Sequence, residues 1–178
     1  MTREDHLVSL VSDQGEPLGV ATVEEAHRAP GLLHRAFSVL LFDGDGQTLL
    51  QQRSATKTRF PLRWANTCCG HPAPGEDVRA AAALRLEQEL GVRGVELTEQ
   101  GVYVYRATDD ATGRVEHEYD HVLVGRWAPE SPLTPDPSEV AGTRWVPATS
   151  LRTVATAPEY APWLAGVLGV AFMAIDVS

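Results

Sequence analysis

The chain has 178 residues, 43% hydrophobic and 22% charged, the profile of an ordinary soluble globular protein in which one domain is expected. Fifteen Lys and Arg against twenty-four Asp and Glu leave a net charge of −9, which argues against a nucleic-acid partner because phosphate backbones demand a positive face. Cys68 and Cys69 are adjacent and form no ordinary disulfide framework, so a reducing cytoplasm fits best.

From the N-terminus, residues 1–20 carry Asp5, Asp13 and Glu16 among short apolar pieces and do not read as a signal peptide. Residues His6 to Ser12 read as a strand, closed by the turn Asp13-Gln14-Gly15-Glu16-Pro17. Thr22-Val23-Glu24-Glu25 has the form of a capping box, opening a short helical or looping piece that runs through His27 to Pro30-Gly31. Leu33 to Phe42 is a strong strand ended by Asp43-Gly44-Asp45-Gly46, and Thr48 to Arg53 is its expected hairpin partner. After a polar, basic loop, Trp64 to Cys69 reads as strand. Asp77 to Leu90 is the clearest helix, with Gly91 as its stop. Further strands are expected at Glu96–Leu97, Val102–Ala107, Val115–Trp127 and Thr143–Val146, with a proline-rich surface loop from Ala128 to Pro137. A last helix is predicted over much of Ala161 to Ile175, too short and interrupted to span a membrane. This order argues for an α+β or sandwich-like fold and against a parallel Rossmann sheet.

The chemistry gathers around Asn66-Thr67-Cys68-Cys69-Gly70-His71-Pro72, where thiols and an imidazole stand beside a flexible glycine. Glu116 and Glu118 are two apart in a strand, so both carboxylates share a face, about 7 Å apart at the backbone, close enough to converge on one cation. Pressed together while half-buried, they would repel unless a metal or a shared proton relieved them. His27 and His34 flank Pro30-Gly31, where a turn can bring both imidazoles to one point. His27, His34, His71, Glu116 and Glu118 make a three-nitrogen, two-oxygen metal set that suits zinc, manganese or ferrous iron better than calcium. Arg53, Lys57, Arg59 and Arg63 form a local basic cluster fit for a small anionic substrate.

From Gly70 the chain runs Gly70, Glu76, Arg85, Glu89, Gly91, which resembles a degraded Nudix box, G-x5-E-x7-R-E-U-x-E-E-x-G-U with U aliphatic. Leu84-Arg85 stands where Arg-Glu belongs, and Gln88-Glu89 where Glu-Glu belongs, so two carboxylates of the hydrolase site are missing. Around that box, Arg53-x3-Lys57-x3-Pro61-x2-Trp64-x-Asn66-x-Cys68-Cys69-Gly70-His71-Pro72 resembles the central signature of the type I isopentenyl-diphosphate isomerases. Tyr105-Arg106-Ala107, Glu116-His117-Glu118-Tyr119-Asp120 and Pro162-Trp163 resemble that family's later signatures, and the likeness covers about residues 8 to 165.

The resemblance implies a single domain with a Nudix-like mixed β-sheet or sandwich flanked by helices, its core at about 33–148 and a C-terminal helical segment at 149–178. It implies conversion of isopentenyl diphosphate to dimethylallyl diphosphate by protonation and deprotonation. His27, His34, His71, Glu116 and Glu118 fall on the family's metal ligands, for manganese or zinc. Cys69 and Glu118 fall on the catalytic pair, and Tyr105 on a tyrosine near the reacting carbons. Glu89 falls on the carboxylate that helps hold a magnesium bound with the diphosphate. Arg53, Lys57 and Arg85 fall on diphosphate-binding cations, and Trp163 on an aromatic over the hydrocarbon. Val23 departs from the pattern, since the family often carries a lysine there; the diphosphate grip is expected to be weaker, or completed by another cation such as Arg28 or Arg59. The expected protein is a cytoplasmic monomer that takes a small isoprenyl diphosphate and neither nucleic acid nor membrane. Its rivals are a Nudix diphosphohydrolase and a non-catalytic diphosphate-binding scaffold.

Overall fold

The computed structural model describes residues 2–173. Nine strands and four α-helices follow in the order β1 (Leu7–Val11), β2 (Pro17–Thr22), α1 (Val23–His27), β3 (His34–Phe42), β4 (Gln47–Arg53), β5 (Trp64–Ala65), β6 (Cys68–Gly70), α2 (Val78–Leu90), β7 (Thr98–Thr108), β8 (Val115–Arg126), β9 (Val140–Pro147), α3 (Ala148–Val154) and α4 (Leu164–Met173). Among these residues no helix is long and apolar enough to cross a membrane.

Strand β3 is the axis of the sheet. Its run Ala36-Phe37-Ser38-Val39-Leu40-Leu41 is buried throughout, as a strand covered on both faces must be. One edge pairs in parallel with β8 from His34↔Glu118 to Phe42↔Arg126. The other edge is shared in succession by β1 at His34, β6 at residues 37–39 and β4 at Phe42. Strand β7 lies antiparallel outside β8, and β4 continues into pairs with β9 and β5. The result is a mixed sheet, α+β as expected, with one parallel pair at its centre.

Alternation along β3 separates two cores. Phe37, Val39 and Leu41 pack with Leu86 and Leu90 of α2. Leu40 packs with Val122, Trp163 and the apolar faces of α3 and α4. Helix α2 is bounded by its caps: Asp77 accepts from Ala80 N at 2.9 Å, and Gly91 takes the left-handed φ of 70° that an L side chain resists. The capping box at α1 forms as the sequence indicates, Glu25 N donating to Thr22 Oγ1 and Thr22 N to the Glu25 carboxylate.

Several expectations are corrected. The β3–β4 hairpin exists only at Phe42↔Thr48; β4 runs along β9 instead, and β6 and then β1 take the rest of that edge of β3. The strand expected from Trp64 to Cys69 breaks at Asn66-Thr67 because the chain changes neighbours there, β5 pairing with β4 and β6 with β3. Thr67 stitches that crossing, its hydroxyl accepting from Leu41 N (2.9 Å) and donating to Leu49 O (2.6 Å). Glu96–Leu97 is not strand; Leu97 plugs the α2 core and β7 begins at Thr98. Strand β2 and helix α3 were not anticipated. The last helix begins at Leu164, after a turn containing Pro162, and Ile175 lies outside the described residues.

Candidate active site

Register aligns chemistry across the strands. Tyr105 on β7 faces Glu118 on β8, which faces His34 on β3. Further along β3, Ser38 faces Cys69 on β6. Residues 34 and 38 lie on one face of β3, because its side chains alternate with a period of two. Histidine His27 comes from the C-terminal end of α1, and His71 from the loop just beyond β6.

Three imidazoles meet at one point, with ring centroids of His27, His34 and His71 4.6, 5.1 and 5.0 Å apart. Glu118 Oε1 lies 3.0 Å from His71 Nε2, 3.8 Å from His34 Nε2 and 4.0 Å from His27 Nε2. One ligand atom from each of these four residues falls within 4.8 Å of the others, so the group can hold a metal ion. The donor chemistry fits that use. His27 Nδ1 donates to Val23 O at 2.6 Å and His34 Nδ1 to Leu32 O at 2.8 Å, which turns both Nε2 lone pairs inward. His34 Nε2 is buried with no hydrogen-bond partner. Burial, with His27 beside it, pushes the His34 imidazole down to about 3. Burial and the other two rings lower His71 as well, so both are neutral, the form that ligates.

Glu116 stands at the border of this group rather than within it. Its Oε2 is 2.8 Å from His27 Nε2, and its Oε1 accepts from Arg59 Nε at 3.1 Å. Burial opposes its ionisation, yet His27 and Arg59 together hold it well below the usual carboxylate range. Glu118 moves the other way: burial, the Glu116 charge and Asp120 raise it. Tyr105 OH donates to Glu118 Oε2 at 2.6 Å, and Tyr105 stacks on Tyr103.

The Cys69 thiol donates to Asn66 Oδ1 at 3.2 Å, and Trp163 Nε1 donates to the same oxygen at 3.0 Å. Burial above all, then the Asp120 carboxyl, pushes the thiol up to about 12 against the pull of Arg53, so it keeps its proton. Ser38 Oγ donates to Asp120 Oδ2 at 2.7 Å and lies 3.8 Å from Cys69 Sγ. Burial raises Asp120 to about 8.

The cations sit in two places. Arg53 spends its donors on Arg59 O and Phe60 O and lies 5.4 Å from the Trp163 ring centre. Lys57 and Arg85 converge instead on Glu89 and Glu139, Lys57 paired closely with Glu139 and Arg85 with Glu89. Glu89 is 2% exposed and also accepts from Gln51 Nε2 at 2.8 Å. A pocket of about 1100 Å³ connects the two ends, lined among others by Lys57, Cys69, His71, Tyr105, Glu118 and Trp163.

Asn66, Ser38, Asp120, Glu139 and Arg3 take part in or border the site without a sequence role assigned to them. Asp120 was within reach, since it continues the Glu116–Glu118 period by one more step. Ser38, Glu139 and Arg3 carry no local signal.

The NUDIX domain family matches residues 32–167. An isopentenyl-diphosphate Delta-isomerase of Nocardia farcinica is 62% identical over 166 residues, covering 92% of this chain and 93% of that one. One from Streptomyces coelicolor is 46% identical over 174 residues, covering 98% and 87%. Among solved structures, a Deinococcus radiodurans protein superposes with a TM-score of 0.71 at 20% identity, covering 92% of this chain and 98% of that one. A C. elegans Ap4A hydrolase complex gives 0.58 at 17% identity, covering 81% and 98%; these two likenesses speak to the fold alone.

Proposed function

The chain belongs to the Nudix superfamily and, within it, to the type I isopentenyl-diphosphate Delta-isomerases, and from that premise we propose how its residues do the work. It is an enzyme that moves the double bond of isopentenyl diphosphate to give dimethylallyl diphosphate. An unactivated alkene is a weak base, so an acid must protonate its terminal carbon to give a tertiary cation, and a base must take a proton from the carbon next to the diphosphate-bearing one. Cys69 and Glu118 are the proposed pair. One gives a proton and the other receives one, so after a turnover their protonation states are exchanged and must be reset.

The observation that carries this reading is one pocket lined by a protonated thiol, a raised carboxyl and a separate cation-rich end at Lys57, Arg85 and Glu139. Tyr105 fixes the free oxygen of Glu118, and Asn66 fixes Cys69 and Trp163. The Trp163 π face would stabilise the cation by on the order of 1–2 kcal/mol when desolvated. A zinc or manganese ion held by His27, His34, His71, Glu116 and Glu118 would orient Glu118 and strengthen its acidity. Arg53, Lys57 and Arg85 are proposed to bind the diphosphate, with Glu89 holding its magnesium. Arg85, sitting on Glu89 where the hydrolase box has a glutamate, supports gripping over cleavage: a guanidinium attracts phosphate but ligates no cation.

Incubation with isopentenyl diphosphate in deuterated water tests the proposal. The product should carry deuterium on a methyl group with its diphosphate whole. Release of phosphate or pyrophosphate matching substrate loss, without label in the carbon skeleton, would make the protein a hydrolase.

A further inference from the structure

The N-terminal 3-10 turn Arg3–Asp5 reaches across the pocket and is fastened to both walls. Asp5 closes the turn on itself, accepting from Thr2 N (2.7 Å) and Thr2 Oγ1 (2.9 Å). Glu4 ties it to the loop after β4, accepting from Arg59 Nη1 (3.0 Å) and Thr58 Oγ1 (3.0 Å). Arg3 points to the opposite wall, its Nη1 2.8 Å from Glu139 Oε2 and 3.8 Å from Glu89 Oε1. Those are the two carboxylates that Lys57 and Arg85 also engage.

We infer that Arg3 is a fourth cation of the diphosphate site, delivered by the N-terminal turn and acting beside Arg53, Lys57 and Arg85. The inference rests on the isomerase reading for the identity of the substrate. Its physical basis is charge balance. Lys57 and Arg85 alone would be neutralised by Glu89 and Glu139, and an anion could enter only by breaking an ion pair. Arg3 adds a positive charge to this group and offsets the Asp136 carboxylate that lines the same pocket, which leaves Lys57 and Arg85 better able to receive an anion. The Arg3 side chain is 46% exposed, against 2% for Glu89 and 10% for Glu139, so its head is open to an incoming ligand while the carboxylates stay covered.

Among the described residues, other nearby cations are placed differently, Arg53 being committed to Arg59 O and Phe60 O. Val23 lines the pocket as an apolar wall packed with Val8 and Ala26. Arg28 pairs with Glu24 at 3.2 Å on the surface of α1 and does not line the pocket. Arg59 is occupied by Glu4 and Glu116 on the histidine side.

The test uses the full chain with its metals, in wild-type, Arg3→Ala, Arg3→Lys and Arg3→Glu forms. Two quantities are read: KM and kcat for isopentenyl diphosphate, and the Kd of inorganic pyrophosphate with magnesium by titration calorimetry. Losing one charged hydrogen-bond donor should raise KM and Kd together by roughly tenfold in Arg3→Ala. Arg3→Lys should recover part of that loss, Arg3→Glu should exceed it, and kcat should change much less than KM. Unchanged KM and Kd in Arg3→Ala and Arg3→Glu would overturn the inference, as would a loss confined to kcat. If the wild type failed to isomerise, the functional reading would fall instead, and pyrophosphate affinity would still decide the role of Arg3.

Discussion

Asn66 Oδ1 accepts from the Cys69 thiol and from the Trp163 indole, while its Nδ2 donates to Cys68 O at 2.7 Å and Val39 O at 3.3 Å. The residue is fully buried, so its hydrogen bonds fix two groups on either side of one amide. Asn66→Leu should therefore lower kcat at least about tenfold while moving KM little, since thiol and indole lose their shared acceptor but the cations stay. Cys69→Ala and Glu118→Gln should collapse kcat, whereas Lys57→Ala should act mainly on KM; near-normal turnover in Cys69→Ala would reduce Cys69 to a packing residue. The shifted acidities set a second expectation. Glu118 is raised by burial and its carboxylate neighbours, while His34 and His71 are lowered by burial. Uptake of a divalent ion near pH 7 should release about one proton, from Glu118, and affinity should rise with pH. Titration calorimetry in buffers of different ionisation enthalpy reads that number. A release of two or more protons, or one that survives in Glu118→Gln, would contradict it. Within the group that could hold a metal, His71 and Glu118 are legible because they sit in short local patterns. The contacts of Asn66, Ser38 and Glu139 were not, because their partners arrive from strands distant in sequence.

Helix α4 reaches the site through packing. Gly166 lies against the Tyr103 ring so closely that a Cβ there would overlap it. Tyr103 stacks on Tyr105, ring centres 5.3 Å apart, and Tyr105 holds Glu118. Gly166→Ala should cost roughly 1–3 kcal/mol of stability by overpacking and should also lower kcat, as the displaced Tyr103 pushes on Tyr105. Thermal unfolding and steady-state kinetics on one sample check both effects; a stability loss with unchanged kcat would show that the tyrosine stack does not transmit. Elements such as α2 and β8 were readable because caps or a long apolar alternation mark them. Strand β2 was not, because it is an edge strand exposed over Pro17 to Val20 with no buried face to give a period. Helix α3, only seven residues long, follows Pro147 with no side-chain cap to announce it. The β3–β4 hairpin is short for a different reason: turn chemistry at Asp43–Gly46 fixes a reversal but not which strands continue the ladder, and β6 takes the edge of β3 next to β4.

At the scale of the whole molecule, the sheet carries an apolar cluster on each face, one against α2 and one against α3 and α4. Neither cluster includes a residue of the histidine group, although β3 contributes to all three. A chain of this length buries roughly 70% of its unfolded surface, enough for a core that stands without an ion. The site also has its own relief when no ion is bound, because burial and the neighbouring carboxylates raise Glu118 and burial lowers His34 and His71, so these three are not held as like charges. A strong chelator should therefore abolish turnover while leaving far-UV circular dichroism and a cooperative thermal transition in place. The transition should move down by only the linkage contribution of the lost ligand, a few kcal/mol at an ion concentration of about 100 to 1,000 times Kd. Zinc or manganese should restore turnover, and magnesium alone should not, because three imidazoles suit a borderline transition metal and leave magnesium, an oxygen-seeking ion, to the diphosphate end. Unfolding at 25 °C on chelation would show that the ion is structural. Full turnover in rigorously metal-free protein would remove the histidine group from the mechanism altogether.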